Sequence, residues 1–72
     1  MKKSEFFNEI ADIFELEEEV NEKTFISIDS LALLSLIALF DDNFGIELTG
    51  ESVEDATKVA DLMKIAGPDN IV

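Results

Sequence analysis

The chain has few side chains that could take part in chemistry, and the most distinctive of them form the pair Asp29-Ser30. It contains no His and no Cys, so the commonest general base and the activated thiol nucleophile are both missing. A serine hydroxyl is a weak nucleophile unless a base activates it, so any modification of Ser30 would need a second protein. No carboxylate pair is evident in a predicted pocket, and we therefore expect a protein that is not an enzyme.

Carboxylates are abundant, and the segment DDNFGIELTGE at residues 41–51 has to be tested as a calcium loop. Counting from Asp41, Gly45 occupies the fifth position, where a ligand is required. Ile46 occupies the sixth, where the turn needs glycine. The spacing therefore predicts no specific metal site.

Composition indicates a single folded acidic domain over residues 1–72. Apolar residues make up 47% of the chain and include six Phe, whereas disordered segments are poor in both. Five basic against 17 acidic residues leave a net charge of −12, which repels nucleic acids and anionic membranes and attracts basic protein surfaces. The apolar run at residues 31–40 is too short to span a bilayer. We expect a soluble, cytoplasmic monomer without stable membrane insertion.

Two segments precede the Asp29-Ser30 pair. Helical spacing predicts a first helix from Ser4, as its capping residue, to about Leu16. Residues 15–28 show no clear period and are predicted to form a long loop. Four apolar side chains of this loop are expected to enter the core: Val20, Phe25, Ile26 and Ile28.

The segments that follow predict an all-α protein. A second helix is expected from a cap at Asp29 or Ser30 to Phe44, with Gly45 as its left-handed end. A short element is expected at residues 52–56, and a last helix capped by Thr57 ends before residues 67–68. Residues 69–72 are predicted to fray. Three longer helices and one short helix would form an antiparallel-type four-helix bundle with a long first loop.

The second helix has two apolar stripes at about 100° per residue. The first, predicted to face the core, consists of Leu33, Leu36, Ile37, Phe40 and Phe44. The second stripe consists of Leu31, Leu34 and Ala38, with Asp41 and Asp42 at its rim. Periodicity leaves open whether this second stripe is also core or is an exposed contact face.

The stretch from residue 29 to about residue 65 resembles an acyl carrier protein. That family carries Asp-Ser-Leu at the head of its second helix, then aliphatic residues, paired acids, Phe-Gly and an aliphatic-acid-aliphatic step. Here Asp29-Ser30-Leu31 matches the signature, Asp41-Asp42 matches the paired acids, and Phe44-Gly45-Ile46-Glu47-Leu48 matches the last step. Residues 51–56 are similar to the family's short third helix.

By this resemblance, Ser30 is the attachment point for 4′-phosphopantetheine, transferred from coenzyme A by a phosphopantetheinyl transferase that Asp29 helps to bind. The arm supplies the thiol that this chain lacks. The resemblance thus implies a carrier of acyl thioesters in fatty acid, lipid or secondary-metabolite biosynthesis. The implied acyl pocket is lined by Leu36, Phe40, Leu48, Val53, Ala56 and Leu62.

The resemblance further implies acyl-transferring or synthase enzymes with basic docking faces as partners, meeting Leu31, Leu34, Ala38, Asp41 and Asp42. Ala32 and Ser35 stand where the family commonly has acids, and the loop after Phe25 is short. These departures favour a specialised pathway over housekeeping fatty acid synthesis. A peptidyl carrier and an unmodified acidic helical interaction or regulatory module remain as alternatives.

Overall fold

Three α-helices make up most of the regular structure in a computed structural model, which describes residues 1–72. Helix α1 spans Lys3–Ile13, α2 spans Ser30–Phe44 and α3 spans Val59–Ala66, and a 3₁₀ turn lies at Glu51–Val53. There is no β-strand, although one isolated antiparallel bridge joins Phe25 to Lys58. None of the helices has the length and apolar character needed to cross a membrane. The prediction of an all-α protein is confirmed.

Helix α2 begins and ends where the sequence predicted. The carboxylate of Asp29 caps it by accepting the N–H of Ala32 at 2.8 Å. Gly45 ends it in the left-handed conformation, with φ at 65°, and donates its N–H to the carbonyl of Asp41 at 3.1 Å. Both ends depend on neighbours in sequence, which is why local patterns located them.

Helices α1 and α3 begin differently from the prediction. Neither Ser4 nor Thr57 accepts a capping hydrogen bond at its helix start. Instead, the carboxylate of Glu5 accepts the N–H of Lys2 at 3.1 Å, and that of Asp61 accepts the N–H of Lys58 at 3.1 Å. In both helices, an acidic side chain of the first turn accepts a hydrogen bond from the backbone N–H of the residue that precedes the helix.

The end of α1 also comes earlier than the predicted residue, Leu16. The helix stops at Ile13, and Glu15 adopts a left-handed backbone with φ at 54°. The N–H of Leu16 then donates to the carbonyl of Ala11 at 2.8 Å. This closing bond is possible only because the chain turns sharply at Glu15, so the helix cannot continue.

The core joins all three helices with residues from the loops. Phe40 of α2 lies with its ring centroid 6.3 Å from that of Phe6 in α1, and 5.2 Å from that of Phe44. The edge-on contact between Phe6 and Phe40 holds α1 against α2. No polar or charged residue is buried. The buried cluster consists of Phe6, Ile10, Val20, Leu36, Leu39, Phe40, Leu48, Val53, Val59, Leu62, Ala66 and Ile71.

The first loop is tied to the start of α3 by backbone hydrogen bonds. Ile26 donates its N–H to the carbonyl of Thr57 at 2.9 Å, and Val59 donates to that of Thr24 at 3.0 Å. Residues 24–28 alternate between half-buried and exposed. Phe25 is therefore 71% exposed, with the Lys58 Nζ atom 5.3 Å from its ring centroid. Its predicted burial is wrong, because adjacent residues of an extended segment face opposite sides.

The end of the chain is docked, where fraying was predicted for residues 69–72. Ile71 is only 6% exposed and belongs to the core cluster. The carbonyl of Val72 accepts the N–H of Lys3 at 2.8 Å, and its N–H donates to the carbonyl of Met1 at 2.9 Å. The apolar contact of Ile71 and this pairing offset the loss of chain entropy.

Candidate functional site

Ser30 is the first residue of α2 and its side chain is exposed. The cap of the helix is provided by Asp29, so the serine hydroxyl is not needed for capping. The first amide groups of a helix have no partners within it and carry a partial positive charge. The arrangement therefore presents a free hydroxyl at an end of a 15-residue helix that favours anionic groups.

A surface cleft of about 540 Å³ adjoins Ser30 between α2, the end of the first loop and the 3₁₀ turn. Its polar lining includes Asp29, Ser30 and Glu54. Gly50 also lines it, and a Cβ atom there would lie 3.8 Å from the nearest atom of Leu33. The apolar lining consists of Ile26, Ile28, Leu33, Val53 and Ala56.

The cleft contains only two of the six residues predicted to line an acyl pocket, Val53 and Ala56. The other four are packed in the closed core and are at most 3% exposed: Leu36, Phe40, Leu48 and Leu62. Ile26, Ile28 and Leu33 also line the cleft and are not among the six residues predicted for an acyl pocket. No local pattern separates Ile26 from Phe25, because both are apolar and adjacent in sequence.

The second stripe of α2 lies on the surface. Leu31 is 76% exposed and Leu34 is 64% exposed. Ala38, about one helical turn after Leu34, is also exposed. Periodicity left open whether this stripe is part of the core or lies on the surface, and the structure shows that it lies on the surface. Large apolar side chains side by side on the surface of a small acidic protein are typical of a contact site.

The buried face of α2 is rotated relative to the predicted core stripe. Leu36 and Phe40 are fully buried, as expected, but Ala32 and Leu39 are also buried. Leu33, Ile37 and Phe44 are only half-buried. Leu39 faces the groove with α1, and Leu33 lines the cleft beside Ser30. The neighbours of α2 thus set the centre of its buried face, which the helical wheel alone did not locate.

Asp41 and Asp42 are exposed at the far end of this stripe. The chain's single ion pair joins Lys3 Nζ to Glu22 Oε1 at 3.9 Å, so neither aspartate is neutralised by a lysine. No three or more acidic side chains converge in a way that could hold a metal ion. These carboxylates are available to cations on another molecule.

Comparisons with models of protein families, with curated proteins and with solved structures found no match to this chain. Its function has to be inferred from the sequence motif and the geometry around Ser30. Both concern the same residues, at the head of α2 and along its exposed face.

Proposed function

We propose that this protein is an acyl carrier protein that holds acyl groups on a 4′-phosphopantetheine arm attached to Ser30. The observation that carries the proposal is that the cap of α2 and the free hydroxyl at its start come from different residues. Asp29 accepts the capping hydrogen bond from Ala32 at 2.8 Å, which leaves the Ser30 hydroxyl exposed and free. The Asp-Ser-Leu signature then lies beside an apolar stripe that is exposed to solvent.

The residues around Ser30 suit the group that the proposal requires. The phosphodiester of the arm would lie at the N-terminus of α2, where backbone amides and the helix dipole favour negative charge. The negative charge of Asp29 opposes this attraction, so its proposed role is to help the transferase to bind. When bound, the arm supplies a thiol to a chain that contains no Cys.

The cleft next to Ser30 gives the acyl cargo an apolar surface. Five of its lining side chains are apolar, and it opens directly beside the serine. We propose that Val53 and Ala56 receive the first part of an acyl chain there. The buried residues Leu36, Phe40, Leu48 and Leu62 would line a deeper space only if the core opened.

The proposal includes the carrier architecture of four helices. In this chain the 3₁₀ turn at Glu51–Val53 would correspond to the short third helix of carrier proteins. It packs Val53, which is 5% exposed, into the core and forms one wall of the cleft. A few more helical residues in this segment on acylation would complete the arrangement.

Partner enzymes would meet the exposed face of α2. Leu31, Leu34 and Ala38 would be covered by apolar side chains of the partner, and Asp41 and Asp42 would meet its basic residues. A net charge of −12 speeds the approach of a basic surface at low salt. Acyl-transferring and synthase enzymes that act on carrier-bound thioesters are the partner class.

The test is intact-mass measurement after incubation with coenzyme A, magnesium and a broad-specificity phosphopantetheinyl transferase. We expect the mass of one arm to be added. Ser30→Ala should abolish the addition, whereas Ser35→Ala, which alters an exposed serine of the same helix, should leave it unchanged. A folded chain that stays unmodified while a reference carrier is fully converted would refute the proposal in favour of an unmodified interaction module.

A further inference from the structure

A groove between α1 and α2 lies on the opposite side of the second stripe from the Ser30 cleft. It has a volume of about 640 Å³ and receives three acids from α1, Glu5, Glu9 and Asp12. Their spacing of four and three residues puts them on one face of that helix. From α2 the groove receives Asp42 and Ala38, the last residue of the second stripe.

The groove continues towards the head of α2. A second depression of about 340 Å³ shares Asp12, Ile13 and Ser35 with it and extends to Leu31 and Asp29. The two depressions together form a trough along α2 from Asp42 to Asp29, which borders Ser30. One wall is acidic, and the other wall presents Leu31 and Ala38, the two ends of the exposed apolar stripe.

No lysine lines either depression. Met1 is at the edge, but its ammonium group donates to the carbonyl of Asn70 at 2.9 Å. The acids do not converge closely enough to hold one metal ion. Separated negative charges beside exposed leucines are complementary to a surface that carries basic and apolar side chains in parallel rows.

We propose that this trough is the docking site for a basic amphipathic helix of a partner protein. The section of the trough from Leu31 to Asp42 is about 16 Å long at a rise of 1.5 Å per residue. A helix of about three turns has this length. Its apolar row would cover Leu31, Leu34 and Ala38, and its lysines or arginines would meet Glu5, Glu9 and Asp12. The inference deepens the proposed function by assigning partners to the α1 side of α2.

The test uses a synthetic 14-residue helical peptide with Leu on one face and Lys on the other, and it needs no prosthetic arm. Binding is measured by fluorescence anisotropy, and the site by amide chemical shifts. Glu5→Gln/Glu9→Gln/Asp12→Asn removes three charges from the trough. Since one exposed ion pair contributes about two- to threefold in affinity, we expect a loss of about tenfold.

Two matched variants also remove three charges each. Glu17→Gln/Glu18→Gln/Glu19→Gln alters the first loop, and Glu51→Gln/Glu54→Gln/Asp55→Asn alters the 3₁₀ turn beside the Ser30 cleft. Both should weaken binding less than about threefold at physiological salt, because screening limits long-range attraction. If either of them weakens binding as much as the trough variant, or if the peptide does not bind the unaltered chain, the inference is wrong.

The apolar wall has its own matched pair. Leu31→Gln should weaken peptide binding, whereas Phe25→Gln, which alters another side chain of similar exposure, should not. Equal effects would overturn the inference. Because the peptide assay and the mass assay are independent, a chain that accepts no arm can still bind at the trough. Failure of the inference is thereby distinguished from failure of the proposed function.

Discussion

Substitution of Asp29 separates its structural role from its proposed functional one. Its carboxylate accepts the N–H of Ala32 at 2.8 Å, which is the only side-chain cap at the start of α2. Asp29→Ala removes this acceptor and should lower the free energy of unfolding by about 0.5–2 kcal/mol. For a domain of this size, each 1 kcal/mol corresponds to a fall of about 4–8 °C in melting temperature.

Asp29→Asn keeps an oxygen in the same position and is as good a cap as Asp. It loses only the attraction between the carboxylate and the helix dipole, about 0.3–1 kcal/mol at an exposed site. Removing one charge from a chain of net charge −12 offsets part of this loss. We therefore expect the Asn variant to be more stable than the Ala variant.

The assay combines urea unfolding, followed by circular dichroism, with the rate of arm addition by the transferase. If Asp29 serves the transferase through its charge, both variants should be modified slowly although the Asn variant remains folded. The capping argument is refuted if Asp29→Asn destabilises the chain as much as Asp29→Ala does. Normal modification of the Asn variant would refute the proposed contact with the transferase.

Further predictions concern stability at two glycines and one carboxylate. Gly50 has a helical backbone, and a Cβ atom there would make only an ordinary van der Waals contact with Leu33 at 3.8 Å, so Gly50→Ala should raise the free energy of unfolding by about 0.4–1 kcal/mol. Gly45, with φ at 65°, has open space around it, so Gly45→Ala should lower that free energy by about 1–2 kcal/mol through backbone strain alone. Thermal melts of both variants check this pair, and shifts of equal sign would contradict it. Hydrogen bonds from the backbone N–H groups of Thr57 and Lys58 hold the pKa of Asp61 below its ordinary value. A carboxyl group whose pKa is lowered by folding stabilises the fold at pH values above its pKa in the unfolded chain. The stability advantage of the unaltered chain over Asp61→Asn should therefore be full at about pH 6 and shrink as the pH falls below about 4. Urea midpoints of both proteins across this range test it, and a constant difference would contradict the assignment.

Helix α2 shows how far local sequence can predict a structure. Its cap at Asp29 and its end at Gly45 both come from groups within a few residues along the chain, so both were predictable. The starts of α1 and α3 were not predictable in the same way, because each offers both a hydroxyl side chain and an acidic side chain as a possible cap. Glu5 and Asp61 were used in place of Ser4 and Thr57. Local chemistry allowed either solution, and the backbone path selected one.

Contacts distant in sequence were beyond prediction. Phe25 and Ile26 are both apolar, and only the bonding of the loop to Thr57 decides which of them faces inwards. Ile71 is buried because its segment pairs with the start of the chain, a contact that no local pattern indicates. The cleft beside Ser30 likewise combines three separate segments, so no single stretch of the sequence indicates its lining.

The sequence by itself determined the helical class, the acidic charge, the lack of His and Cys, and the position of Asp29 and Ser30 at the head of the longest helix. It did not determine which side of that helix is exposed. A helix that is apolar on most of its circumference has no intrinsic inner face, and its orientation depends on what packs against it. Here α1 covers the side of Leu39, which leaves Leu31 and Leu34 in solvent next to the serine.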